Sequence, residues 1–114
     1  LALLVEYRSH TALFPGDIDG AAETAALTGA GPVDICKAAH HGSKYSSYRL
    51  PLEALNPAYS VVSAGRNSFG HPHPWALKNL GDYSGEVFVT RDSYAVEFFI
   101  NEDIRVNALG GGQT

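Results

Sequence analysis

The sequence contains no methionine, a single cysteine and no apolar run of the about 18 residues needed to cross a bilayer. One cysteine excludes an internal disulfide and leaves the redox compartment undecided. Cys36 lies in the apolar run "VDICKAA", which reads as the setting of a buried, inert thiol. There is no excess of basic residues either: the net charge is −4, which gives no electrostatic reason for the chain as a whole to bind nucleic acid tightly. Internal repeats, low-complexity stretches and domain boundaries are all missing. The 114 residues fit one compact domain over 1–109, with "GGGQT" at 110–114 as a flexible tail. With no methionine, and a start inside "LALLVEY" that no signal peptide precedes, the chain reads as a fragment of something longer.

What is present is an alternation of apolar runs and helical patterns. Residues 1–7 and 11–17 are apolar runs joined by Arg8-Ser9-His10, an antiparallel hairpin with His10 in its turn. Alanine-rich 19–27, with an acidic start, predicts a helix with Asp17 or Asp19 near its cap. A strand follows over 33–39. Residues 46–55 are helical in character, with Pro51 tolerable only near the first turn. The next strand is 58–65; Pro74 then opens a helix that Gly81 is expected to terminate. The rest reads as three short strands, "EVFVT", "YAVEFFI" and "DIRVNAL", with turns at "RDS" and "NE". The fold class is therefore α/β, with helices on one face of a sheet. The other face needs a layer supplied by further sequence or by a second copy.

Three strand ends carry polar loops: "PGDID", "HHGSKYSS" and "GRNSFGHPHP". In sheets with helical crossovers the loops beyond the strands' carboxyl ends gather on one edge, where sites form. Asp17 reads either as a helix cap or as a carboxylate suited to bridge two metal ions. His40 and His41 read either as hydrogen-bonded structural residues or as one metal ligand and one substrate-facing ring. Adjacent side chains on an extended strand diverge, so both are not expected on one ion. Prolines stiffen the loop holding His71 and His73, which either line a site or form a helix entrance, with a histidine packed on Trp75. Ser43, Lys44, Ser46 and Ser47 offer donors to an anion, or are simply loop polarity.

The ordered set strand-Gly16-Asp17, strand-His40-His41-Gly42-Ser43 and strand-Asn67-x-x-Gly70-His71-Pro72-His73-Pro74 resembles the later half of a metallo-β-lactamase-fold hydrolase. The nearest likeness is the extracytoplasmic domain of ComEC-type DNA-uptake (competence) proteins, over about residues 1 to 100. The resemblance implies the C-terminal half of an αββα sandwich, with a mixed sheet and helices on one face. It implies that Asp17 bridges two divalent ions, zinc or manganese, and that His41 ligates one of them. His40 would act on the scissile group, and Ser43, Lys44, Asn67, His71 and His73 would line the substrate cleft.

This sequence departs from the family in two respects: its principal ligand motif, His-x-His/Asp-x-Asp-His, has no match here, and a further ligand position, usually just before the strand at Leu1, is also absent. Asp17 and His41 alone fall short of the three or four ligands of a zinc site, so this piece is expected to hold metal weakly or not at all, and to be inactive alone. The intact protein is expected to be a metal-dependent phosphodiesterase or nuclease acting on DNA during uptake. Its expected partners are the missing N-terminal half of the domain and a membrane-embedded channel of the same polypeptide. It would lie at the extracytoplasmic face of the membrane. Alternatives are a stand-alone metallo-hydrolase of a small phosphodiester, lactone or other ester, and a non-catalytic half-domain that self-associates as a homodimer.

Overall fold

The computed structural model describes residues 2–18, 20–27, 29, 31–43, 46–64, 70, 72–93 and 95–109, with residues 21, 26, 40 and 93 by backbone alone. Strand β1 (Leu3–Tyr7) pairs antiparallel with β2 (His10–Phe14), from Leu3 opposite Phe14 to Tyr7 opposite His10. Two residues suffice for the turn. Arg8 and Ser9 both take positive φ, 49° and 67°, the hand that matches the twist of paired strands. His10 therefore opens β2 and is not a turn residue as the sequence suggested.

Helix α1 (Gly20–Leu27) leads to β3 (Ile35–Lys37), α2 (Arg49–Leu55) to β4 (Tyr59–Val62), and α3 (Pro74–Tyr83) to β5 (Glu86–Val89). The five strands lie in chain order. β2 to β5 are parallel and β1 is antiparallel at the edge, so the sheet is mixed. Crossovers of this kind are right-handed, so α1, α2 and α3 fall on one face. Beneath them Leu13, Leu27, Cys36 and Leu55 form one buried cluster; Ala38, Leu52, Val62, Leu80 and Val89 form another. Strand alternation then turns Ile35, Lys37 and Val61 toward the opposite face.

That face is covered only in part. After the single helical turn α4 (Thr90–Ser93), β6 (Val96–Ile100) and β7 (Ile104–Ala108) form a separate antiparallel hairpin. Phe98 meets Tyr59 edge to face at 5.5 Å, and His10 Nε2 lies 2.8 Å from the Glu102 carbonyl. Between hairpin and sheet a cleft of about 400 Å³ remains, lined by Ala12, Ile35, Val61, Val96, Phe98 and Ile100. On β1, Leu3, Leu4, Val5 and Tyr7 are all exposed. No described helix is long and apolar enough to cross a membrane.

Several boundaries differ from the sequence reading, each for a physical reason. Strand β3 stops at Lys37, and Ala39–Gly42 form a turn of 3-10 helix. Helix α2 begins at Arg49 because the preceding serines serve the loop: Ser46 Oγ donates to Ala39 and Ser43 carbonyls, and Ser47 has φ 57°. Gly81 does not end α3. Buried Leu80 and the Lys78–Asp82 ion pair at 2.6 Å outweigh the roughly 1 kcal/mol that an interior glycine costs. The helix closes at Ser84, whose N–H bonds the Leu80 carbonyl at 2.9 Å. The "RDS" turn is helical, part of α4. Asp19 and the tail 110–114 lie outside the described residues.

Candidate functional site

Three chain segments meet at the carboxyl rim of the parallel strands. The first follows β2: Pro15 is fully buried, and Gly16 turns the chain with φ 74°. Ile18 packs on the helix-side core, while Asp17 between them stays exposed. The second is the 3-10 turn after β3. His41 sits there with φ 54°, a left-handed conformation that is strained for a residue with a side chain. On such a turn successive rings need not alternate as on a strand, so the expected divergence of His40 and His41 does not follow from strand geometry.

The His41 ring is held from behind. Its Nδ1 lies 2.7 Å from the carbonyl oxygen of Ser63, just beyond β4. A carbonyl only accepts, so Nδ1 carries the proton, and Nε2 of the neutral ring keeps its lone pair. Nε2 faces Asp17 Oδ1 at 3.9 Å, with the two side chains 48% and 72% exposed. This separation is too long for a hydrogen bond. It is short enough for one ion to touch both atoms, since zinc bonds to nitrogen and oxygen are about 2.0–2.2 Å. Orientation of an imidazole through a backbone carbonyl on its far nitrogen is the arrangement typical of a metal-ligating histidine.

The third segment precedes α3. Its His73 N–H donates to the Gly42 carbonyl at 2.8 Å, joining the two loops directly. Gly42 is required at this contact: it has φ 77°, and a Cβ there would sit 2.8 Å from Pro72 Cβ. His73 itself fulfils the structural alternative: Nδ1 accepts the Trp75 N–H at 3.1 Å, capping α3, and its ring meets the Trp75 ring edge to face at 5.1 Å. Ser43 is 3% exposed, so its side chain is not presented to solvent. Lys44, Asn67, His71 and the His40 side chain lie outside the described residues.

Two supports had no signature in the sequence. Glu23, buried in α1, accepts the backbone N–H groups of Ser47 and Tyr48 at 2.7 Å each, tying α1 to the chain entering α2. Thr90 Oγ1 accepts the Ala64 N–H at 2.9 Å and donates to its carbonyl at 3.2 Å, steadying the segment that holds His41. Neither belongs to a motif: Glu23 is one acidic residue among alanines, and Thr90 one hydroxyl after a strand. Cys36 takes no part in the rim. Burial first, and the Glu23 charge second, push its thiol up to about 12 against a smaller opposing effect of Lys37.

The donors fit a divalent ion in kind, an imidazole nitrogen and a carboxylate oxygen, and fall short in number. Among the described residues no three His, Cys, Asp or Glu side chains cluster closely enough to hold a metal ion.

The class so defined is an α/β chain with a mixed sheet and a carboxylate–imidazole pair on its carboxyl rim. No protein-family model matches it. Its sequence is 29% identical over 86 residues to Recombination protein 2 of Haemophilus influenzae, covering 75% of this chain and 11% of that protein. It is 33% identical over 66 residues to ComE operon protein 3 of Bacillus subtilis, covering 57% of this chain and 8% of that protein. The chain spans only about a tenth of either relative.

Proposed function

We propose that this chain is the C-terminal half of a metallo-β-lactamase-like αββα domain, and that the intact domain is a metal-dependent phosphodiesterase acting on DNA during competence-related uptake at the extracytoplasmic face of the membrane. The observation that carries the reading is the pairing of Asp17 with a His41 ring whose far nitrogen is fixed by the Ser63 carbonyl. Asp17 and His41 would hold the ions, with the remaining ligands contributed by the other half of the domain. Bound there, two divalent ions supply Lewis-acid activation of a phosphodiester and of water. His40, one residue before His41 on the same turn, would assist the leaving group as an acid. The exposed apolar residues of β1 and the half-covered sheet face support the expectation of a second layer.

The test uses the intact polypeptide that carries this segment. Turnover of a single-stranded oligodeoxynucleotide and of bis(p-nitrophenyl) phosphate is measured with zinc or manganese, beside Asp17→Ala and His41→Ala. Both variants are expected to fall to background with their folding transitions retained. Unchanged turnover in both would end the hydrolytic assignment. The exposed β1 strand also favours a second reading, a non-catalytic half-domain that self-associates. A monomer by light scattering, at concentrations where the chain is folded, would count against that one.

A further inference from the structure

The chain's single tryptophan is not in the core. Trp75 stands on the first turn of α3 and is 68% exposed, although tryptophan is a residue that folding normally covers. Beside it, Tyr48 at the entrance to α2 is 40% exposed. Both residues line a groove of about 350 Å³ together with Ser46, Ala76, Lys78 and Asn79. That volume is near the lower end of pockets that take small organic groups, about 300–1,000 Å³.

The groove is a built feature. Ser46 and Ala76 are each 1% exposed and lie deep in it. Asn79 Nδ2 donates to the Ser47 carbonyl at 3.1 Å, fixing α3 to the chain entering α2. Glu23 fixes that same entry from below through the Ser47 and Tyr48 N–H groups. The Trp75 ring is held edge to face by His73, whose backbone N–H is bonded to Gly42. Helices α2 and α3 both start at the carboxyl rim of the sheet. The aromatic pair and the Asp17–His41 pair therefore share one rim, joined through Gly42 and His73.

We infer that Trp75 and Tyr48 form a stacking subsite for an unpaired nucleobase of single-stranded DNA flanking the Asp17–His41 rim. This rests on the phosphodiesterase reading for its substrate class and assigns the residues that would grip the strand. Flat rings with exposed faces suit bases that are not already stacked in a duplex, and stacking on them tolerates any base. Lys78, three residues after Trp75 on the same helix face, places an ammonium at the groove where a backbone phosphate would pass. Asp82 holds it at 2.6 Å, so stacking and not charge must supply most of the affinity, in keeping with a net charge of −4. An aromatic pair can also receive a quaternary ammonium, which choline tests.

Trp75 is the only tryptophan of these 114 residues, so the emission that Trp75→Phe removes from the intact polypeptide reports the groove. A short oligothymidylate titrated into the intact polypeptide is expected to quench that component saturably, whereas an abasic oligonucleotide of equal length, a duplex and choline chloride do not. By anisotropy of a labelled oligothymidylate, Trp75→Ala is expected to weaken binding roughly 5- to 150-fold, corresponding to about 1–3 kcal/mol of stacking per base, and Trp75→Phe to keep most of it. Emission unmoved by oligothymidylate, equal quenching by the abasic strand or the duplex, quenching by choline, or Trp75→Ala binding as the parent does would each overturn the subsite. Turnover in Asp17→Ala and His41→Ala decides the hydrolytic reading separately, so the two can fail independently.

Discussion

Glu23 and Cys36 show how burial gives single side chains their work. The Glu23 carboxylate accepts two backbone N–H groups while 2% exposed, so it replaces solvent for the chain entering α2. Glu23→Gln keeps the shape but removes the charge and leaves an amide nitrogen facing a donor. A loss of about 1.5–3 kcal/mol is expected, read from the urea midpoint. Cys36 makes a pH prediction. Its thiol rises from an ordinary 9.0 to about 12 because burial disfavours the thiolate. The unfolded chain therefore gives up that proton first. The associated stability is intact below about pH 9 and is lost as pH rises through about 12. Native Cys36 is expected to resist a thiol reagent at neutral pH and to react fully in denaturant; rapid labelling of the native chain would refute its burial. The sequence made Cys36 legible because its neighbours are apolar. It left Glu23 invisible because nothing local says that an acidic side chain in an alanine-rich helix points inward.

Among elements, the hairpin β1–β2, the alternation of helices with strands and the final hairpin β6–β7 were all legible, since each rests on local periodicity and turn chemistry. What failed were boundaries decided by tertiary contacts. Gly81 is a helix breaker only where nothing else holds the turn, and Leu80 with the Lys78–Asp82 pair holds it. The end of β3 curls into a 3-10 turn because its glycine must fit beneath Pro72, a residue thirty positions away. That contact yields a sharp test. Gly42→Ala would combine a left-handed backbone, about 1–2 kcal/mol, with overpacking of about 1–3 kcal/mol. A total loss of roughly 2–5 kcal/mol by urea denaturation is expected, together with altered NMR shifts of the His41 ring. A stability equal to that of the parent would mean that the two rim loops are not packed as described.

At the scale of the molecule, one sheet face is sealed by α1 to α3, and the other is covered in part by a hairpin over an apolar cleft. The rim chemistry is incomplete in the same sense: two donors face each other where a catalytic ion needs about three protein ligands. The convergence of Asp17 and His41 across 24 residues of sequence was legible only through the rule that strand-end loops gather on one edge, together with the ordered motifs. The carbonyl that orients His41 was not, because a backbone oxygen leaves no mark in a sequence. Whether the rim is a metal centre is decided by elemental analysis of the intact polypeptide, purified without chelators. Near two divalent ions per chain are expected, with a clear deficit in both Asp17→Ala and His41→Ala. Metal content that is the same in the parent and in both variants would contradict a metal centre there.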